Sequence, residues 1–353
     1  MSSTTRVGWI DVCKAMAIMI VAWVHFGIPS ILSPFIHQFI MPVFYFCSGI
    51  FYRPEKYSSS GFFLKKKAQS LLVPYFCMGI LIYVIWTVVY LVFLPDKVVG
   101  PWEYAGHLFW HNTESVPGIW GGVQWFLTSL FFTEVLVFLT ERGLKNKYLL
   151  LLFFTALGVS IIILANNSTD FWIPLAFDTA LVMPVFYCIG YLVADRIQDW
   201  LRKSRMFHLY LIFLVSAAVS FQFDRLNQST NVRKIEFGNP LYYYLGAFFG
   251  VVMFVCFAVL VDRIISGRAK LYSWMKYIGV STIVILYVHR QFDGINKTLL
   301  ESVFRITLTG GRKYLYFGAS LIVFFAIAVP VCRWIDRHLG FLFWRFPNKE
   351  VRG

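Results

Sequence analysis

Three ionisable residues in the first long apolar run, Asp11, Lys14 and His25, are the side chains best placed for chemistry. The run from Trp9 to His25 belongs to a segment long enough to cross a bilayer. At about 100° per residue, the step from Lys14 to His25 is about 1100°, some 20° past three full turns. Asp11 falls about 40° to the other side, so one helix face can carry all three. With Trp9 at an interface, Lys14 lies about 7 Å into the bilayer and His25 about 24 Å. Ionisable groups at such depth are costly and by default mark a site, so an enzyme or a transporter is the starting hypothesis. Asp11 and Lys14, spaced i, i+3, can neutralise each other. An imidazole facing a polar cavity suits a general base that takes a proton from a hydroxyl. The plainer alternative has His25 bonding a neighbouring helix and Lys14 snorkelling to the interface.

Other candidates are spread along the chain. His289 sits about twelve residues into a late span, at a depth comparable with His25; orienting an acceptor, stabilising an oxyanion and lying at the outer interface beside Arg290 are all open to it. Glu134 is a carboxylate inside the fourth span and needs a partner, an interhelical pair or a protonated hydrogen bond being the plainer reading. Ser48-Gly49 suits close helix packing, with a substrate contact second. Trp125 suits a sugar-stacking platform or an aromatic belt. His107 and His111, with Glu103 and Glu114 nearby, have a metal-permissive i, i+4 spacing but no HExxH, so no metal site is expected.

These residues must be held by membrane helices. Of 353 residues, 58% are hydrophobic and 14% charged, more apolar surface than a water-soluble core can hide. The fold class expected is all-α, a polytopic transmembrane bundle of about ten spans forming one domain over 1–353. Spans begin near Trp9, Phe35, Leu71, Gly121, Tyr148, Trp172, Phe207, Leu241, Lys276 and Tyr314, the ninth being short and either tilted, broken or flanked by an interfacial turn. With the N-terminus inside, 22 of the 32 Lys and Arg fall in inner segments, which favours both termini in the cytoplasm. The net charge of +14 then reflects topology and anionic lipid heads rather than nucleic acid. The first run carries Asp11 and Lys14 and reads as a retained span, not a signal peptide. Six cysteines without CxxC spacing read as small packing residues. The loops 95–120, 223–240 and 291–313 are the longest expected.

Five collinear segments resemble the integral-membrane acyltransferase family three, which includes fucose 4-O-acetylase-like enzymes. They are Trp9-Ile10-Asp11…Lys14…His25; Met41-Pro42-Val43-Phe44-Tyr45-Phe46-Cys47-Ser48-Gly49; Phe63-Leu64-Lys65-Lys66-Lys67 running into Pro74-Tyr75; Trp125-Phe126-Leu127; and Gly279-Val280-Ser281 through Tyr287-Val288-His289. Two departures stand out. Lys14 occupies a position that is often Arg in this family, and the Lys65-Lys66-Lys67 run replaces an Arg-x-x-x-Arg pattern. Lysine lacks the bidentate fork of arginine, which alters how a donor would be gripped.

The resemblance implies transfer of an acyl group, usually acetyl from cytoplasmic acetyl-CoA, to a hydroxyl of a surface or secreted carbohydrate or a lipid-linked glycan. Within that reaction His25 is expected to act as base, a covalent acyl-histidine being the open alternative, with Asp11 beside it and Lys14 available to hold CoA. The loop Lys65, Lys66 and Lys67 would meet CoA, and Ser48, Trp125, Glu134 and His289 would contact substrate. Acetyl-CoA enters as donor substrate, and no resident cofactor is expected. The setting implied is a bacterial cytoplasmic membrane, beside the machinery of glycan synthesis. The rival reading is a transporter or flippase of lipid-linked saccharides, because Pro42, Pro184 and Pro330 could break helices around a midplane site. No repeated pair of broken segments is evident from the sequence.

Overall fold

The computed structural model describes residues 8–111, 122–168, 171–227, 230–303, 305–306 and 310–343. Among the described residues the regular structure is all helix, with one isolated bridge between Asn231 and Glu236. The first helix, α1 (Gly8–Gly27), is followed by α2 (Ser33–Ile50), α3 (Ser60–Lys67), α4 (Val73–Phe93) and α5 (Pro101–Gly106). Next come α6 (Trp125–Gly143), α7 (Lys147–Asn166), α8 (Phe177–Val182), α9 (Pro184–Val193) and α10 (Ile197–Lys203). The last are α11 (Met206–Leu226), α12 (Pro240–Ile265), α13 (Ala269–Val280), α14 (Thr282–Lys297) and α15 (Gly310–His338).

Six helical segments are long and apolar enough to cross a membrane: Gly8–Gly27, Ser60–Phe93, Lys147–Asn166, Met206–Leu226, Pro240–Ile265 and Gly310–His338. Two bent pairs bring the number to eight. Pro174–Val182 with Pro184–Val193 bends by 51°, and Ala269–Val280 with Thr282–Leu300 by 86°. This is a membrane protein built of helices, with six to eight qualifying spans among the described residues. Helices also form where the second and fourth spans were expected, but α2 carries His37, Gln38 and two prolines, and α6 carries Glu134, Glu141 and Arg142. Neither meets the apolar test on its own.

The core forms around α1, which packs against α2, α12, α13, α14 and α15. Its small and apolar residues Cys13, Ala15, Ala17, Ile18 and Ala22 are almost fully buried, as expected of a helix enclosed by neighbours on several sides. Gly279 lets α13 lie directly on α1, because a Cβ at that position would overlap the Asp11 carbonyl. Gly49 and Gly190 do the same for α2 and α9, each facing backbone of the other helix. This is the small-residue packing that membrane helices use when no hydrophobic drive separates them from lipid.

One expected outer loop is structured differently. In the described part of 95–120, α5 and the wide turn His107–His111 fold back along α4. The Tyr104 hydroxyl donates to the Gly79 carbonyl at 2.8 Å and the Tyr75 hydroxyl to the Leu108 carbonyl at 2.5 Å. At about 1.5 Å per residue, Tyr75 lies about 27 Å along α4 from Phe93. The segment therefore returns deep into the bundle, where irregular backbone survives only under protein cover. Glu114 lies outside the described residues.

The basic loops share one end of the bundle. Arg142 donates to Ser60 at 2.6 Å, Arg53 and Lys147 reach Asp195 at 3.8 and 3.1 Å, and Arg263 donates to the Ser204 carbonyl at 2.8 Å.

Candidate active site

The break at Ser281 turns α14 across the far end of α1 and so sets two histidines side by side. His25 is on the last turn of α1, and its ring centroid lies 5.2 Å from that of His289, with the planes at 39°. His289 is fully buried. Its Nδ1 stands 2.8 Å from the Ile285 carbonyl, and because a carbonyl only accepts, Nδ1 carries the proton and Nε2 the lone pair. That Nε2 has no hydrogen-bond partner among the described residues.

A charged cluster on the next two turns of α14 surrounds this pair. Asp293, 1% exposed at its side chain, accepts from Arg290 at 3.1 Å and from Lys297 at 2.8 Å through the same oxygen. Lys297 also donates to the His25 main-chain carbonyl at 3.2 Å. That carbonyl belongs to the C-terminal turn of α1, whose acceptors have no partner within the helix and favour a cation. Arg290, Lys297 and the His37 imidazole all lie within electrostatic reach of His25. Gln291 accepts from the Trp86 indole at 2.5 Å and ties α14 to α4.

A narrow cleft runs on the same face of α1. Ile18 and Val21 line it, together with Met41, Phe44, Phe126, Thr282, Ile283 and Leu286, and it encloses about 40 Å³. On the α1 wheel Lys14, Ile18, Val21 and His25 fall within about 60° of one another, so the cleft lies on the line between the lysine and the histidine.

The family follows from the whole chain: residues 7–337 match the acyltransferase domain of acyltransferase family 3. The chain belongs to that family. It is a membrane acyltransferase, and the resemblance carried by five short segments holds across nearly its full length. Searches of curated proteins and of solved structures return no match.

The acyltransferase does not assemble every expected site residue in one place. Lys67 is drawn away from Lys65 and Lys66: its ammonium pairs with Glu134 at 3.0 Å, with the two side chains 19% and 6% exposed. Lys67 ends α3, just before a wide helical turn over Ala68–Leu72, and this turn carries it toward α6. Lys65 and Lys66 are exposed at the end of the bundle that bears the basic loops. Asp11 is buried where α13 packs on α1, and Lys14 is half-buried. Ser48 is half-buried beside the Gly49 packing contact, and Trp125 opens α6 next to Phe126 of the cleft. No group of three or more His, Cys, Asp or Glu is placed to hold a metal among the described residues.

The sequence reading missed Arg290, Asp293 and Lys297, because it ended the ninth span at His289 and took 291–313 as loop. The helix continues to Lys297. Opposite charges at i, i+3 and i, i+4 were the available signal.

Proposed function

We propose that this acyltransferase moves an acyl group, acetyl by preference, from cytoplasmic acyl-CoA to a hydroxyl of a surface or secreted carbohydrate. The observation that carries the reading is the His25–His289 pair, set among cations at the far end of the stripe that Lys14 begins. CoA phosphates would meet Lys65 and Lys66 at the basic end, which would face the cytoplasm of a bacterial membrane crossed about ten times by a single domain, a reading the excess of Lys and Arg there supports. The pantetheine arm would pass Lys14 and follow Ile18 and Val21, with the cleft widening as helices separate around it. His25 takes the proton of the acceptor hydroxyl as its oxygen attacks the thioester carbonyl. The tetrahedral oxyanion forms beside Arg290 and Lys297, where fixed positive charge stabilises it. Collapse breaks the C–S bond, and the imidazolium returns its proton to the departing CoA thiolate. His289 Nε2, an unfilled acceptor, would orient the acceptor hydroxyl.

The transport reading gains one observation, the two bent helix pairs. They are not equivalent by position: 174–193 straddles the chain midpoint, whereas 269–300 lies well into the second half, so they do not form the matched pair of a repeat-built transporter. The test is to supply membranes containing the protein with acetyl-labelled CoA and the native glycan. Base-labile label on the glycan supports transfer; no label and no CoA release, with glycan translocation intact, would replace this reading with the transporter.

A further inference from the structure

We propose that the end of the bundle bearing the basic loops carries a built site for one anionic glycerophospholipid, with its acyl chain between α9, α10 and α12 and its phosphate on Arg196. The slot encloses about 510 Å³ and is lined by Ile189, Val193, Trp200, Phe248 and Val252 among other apolar side chains. Its mouth is polar. Tyr148, Leu192 and Arg196 line the slot and also an adjoining recess formed with Asn146, Lys147 and Asp195. An apolar slot opening onto a charged shelf is the shape of a phospholipid.

Charge selects the kind of lipid. Asp195 is the carboxylate of the recess, and it is already engaged by Lys147 at 3.1 Å and Arg53 at 3.8 Å. The Lys147 hydrogen bond, with Arg53 and Arg196 nearby, holds the Asp195 carboxyl below the usual carboxylate range, so it is ionised at neutral pH. Lys147 also sits 4.2 Å from the centre of the Tyr191 ring. Arg196 is exposed and makes no ion pair among the described residues. Lys147, Arg53 and Arg196 outweigh Asp195 at the shelf, and Glu141 and Glu55, within electrostatic reach of Tyr191, are offset by Arg142 and Lys145, so the shelf stays positive and favours an anionic headgroup over a zwitterionic one. Trp200, half-exposed at the rim, suits the headgroup level. CoA fits this place poorly, since its phosphates lead into a polar arm rather than a fatty chain. The proposal does not depend on the acyl-transfer reading.

Native mass spectrometry of the purified full chain tests it, titrating phosphatidylglycerol and phosphatidylcholine with identical acyl chains. The wild type should retain one phosphatidylglycerol about tenfold more tightly than phosphatidylcholine. Arg196→Gln should remove that preference, and Val252→Trp, which fills the slot, should lower retention of both lipids. Soluble glycerol phosphate should not displace the lipid. Equal retention of the two lipids by wild type, or an unchanged preference in Arg196→Gln, would overturn the proposal, as would displacement by glycerol phosphate. Arg196 is exposed, so its substitution leaves the fold intact, which an unchanged melting temperature checks.

Discussion

Asp293→Asn tests whether the α14 cluster is what holds His25 in place. The asparagine keeps the shape but removes the charge that compensates two cations whose side chains are only 16% and 21% exposed. Breaking a buried pair by removing one partner costs about 3–5 kcal/mol. At about 1.4 kcal/mol per tenfold change, that multiplies the unfolded or locally opened population by two to three and a half powers of ten. Lys297→Met should cost less, about 1.5–3 kcal/mol, because it removes a charge-assisted bond while Arg290 still compensates Asp293. The double variant should cost less than the sum of the singles, with a coupling of about 0.5–3 kcal/mol. Thermal unfolding of all four proteins in one detergent gives the cycle. Acyl-transfer kinetics on the same samples should show Lys297→Met lowering kcat with little change in KM, and Lys297→Arg restoring most of it. Additive stabilities, or Asp293→Asn indistinguishable from wild type, would refute the argument that these charges act as one unit around the histidine.

The Lys67–Glu134 pair should behave alike in stability: Lys67→Met and Glu134→Gln each destabilise by about 3 kcal/mol or more, and the double variant recovers most of the loss. By contrast, Lys65→Gln with Lys66→Gln should leave the melting temperature within a degree or two of wild type, on the order expected for exposed charges, and raise the KM for acyl-CoA several-fold at unchanged kcat. Gly279→Ala should abolish accumulation of folded protein, since its Cβ would overlap the Asp11 carbonyl, whereas Gly61→Ala, with nothing within 4 Å, should fold normally; membrane yields and melting curves decide. His289→Gln should leave the fold intact and raise the KM for the acceptor more than that for acyl-CoA, measured by varying each substrate in turn.

Much of α1 was legible because its information is local. Asp11, Lys14 and His25 share a face by helical period alone, and the apolar composition names the solvent. The ninth span was readable as too short to cross straight, with a tilt, a break or an interfacial turn all open; that it bends sharply at Ser281 comes from the structure. Contacts made across the bundle were not legible. Nothing in the spacing of Lys65, Lys66 and Lys67 says that only Lys67 turns inward, because its partner lies 67 residues away on α6. The return of residues 101–111 along α4 depends on Tyr75 and Tyr104 hydroxyls finding carbonyls 33 and 25 residues away. Spacing alone says that Asp11 and Lys14 can meet; that α13 packs tightly at Gly279 and buries Asp11 depends on a helix far along the chain. Arg290, Asp293 and Lys297 were locally readable as a helical charge cluster; placing a loop after His289 hid them.

The most direct measurement is label transfer from acetyl-labelled acetyl-CoA to a base-labile ester on the native glycan, in membranes holding wild type or His25→Ala at matched expression and equal melting temperature. The account predicts ester with wild type and none above background with His25→Ala. Ester formed at the wild-type rate by His25→Ala would contradict it and remove His25 from the chemistry.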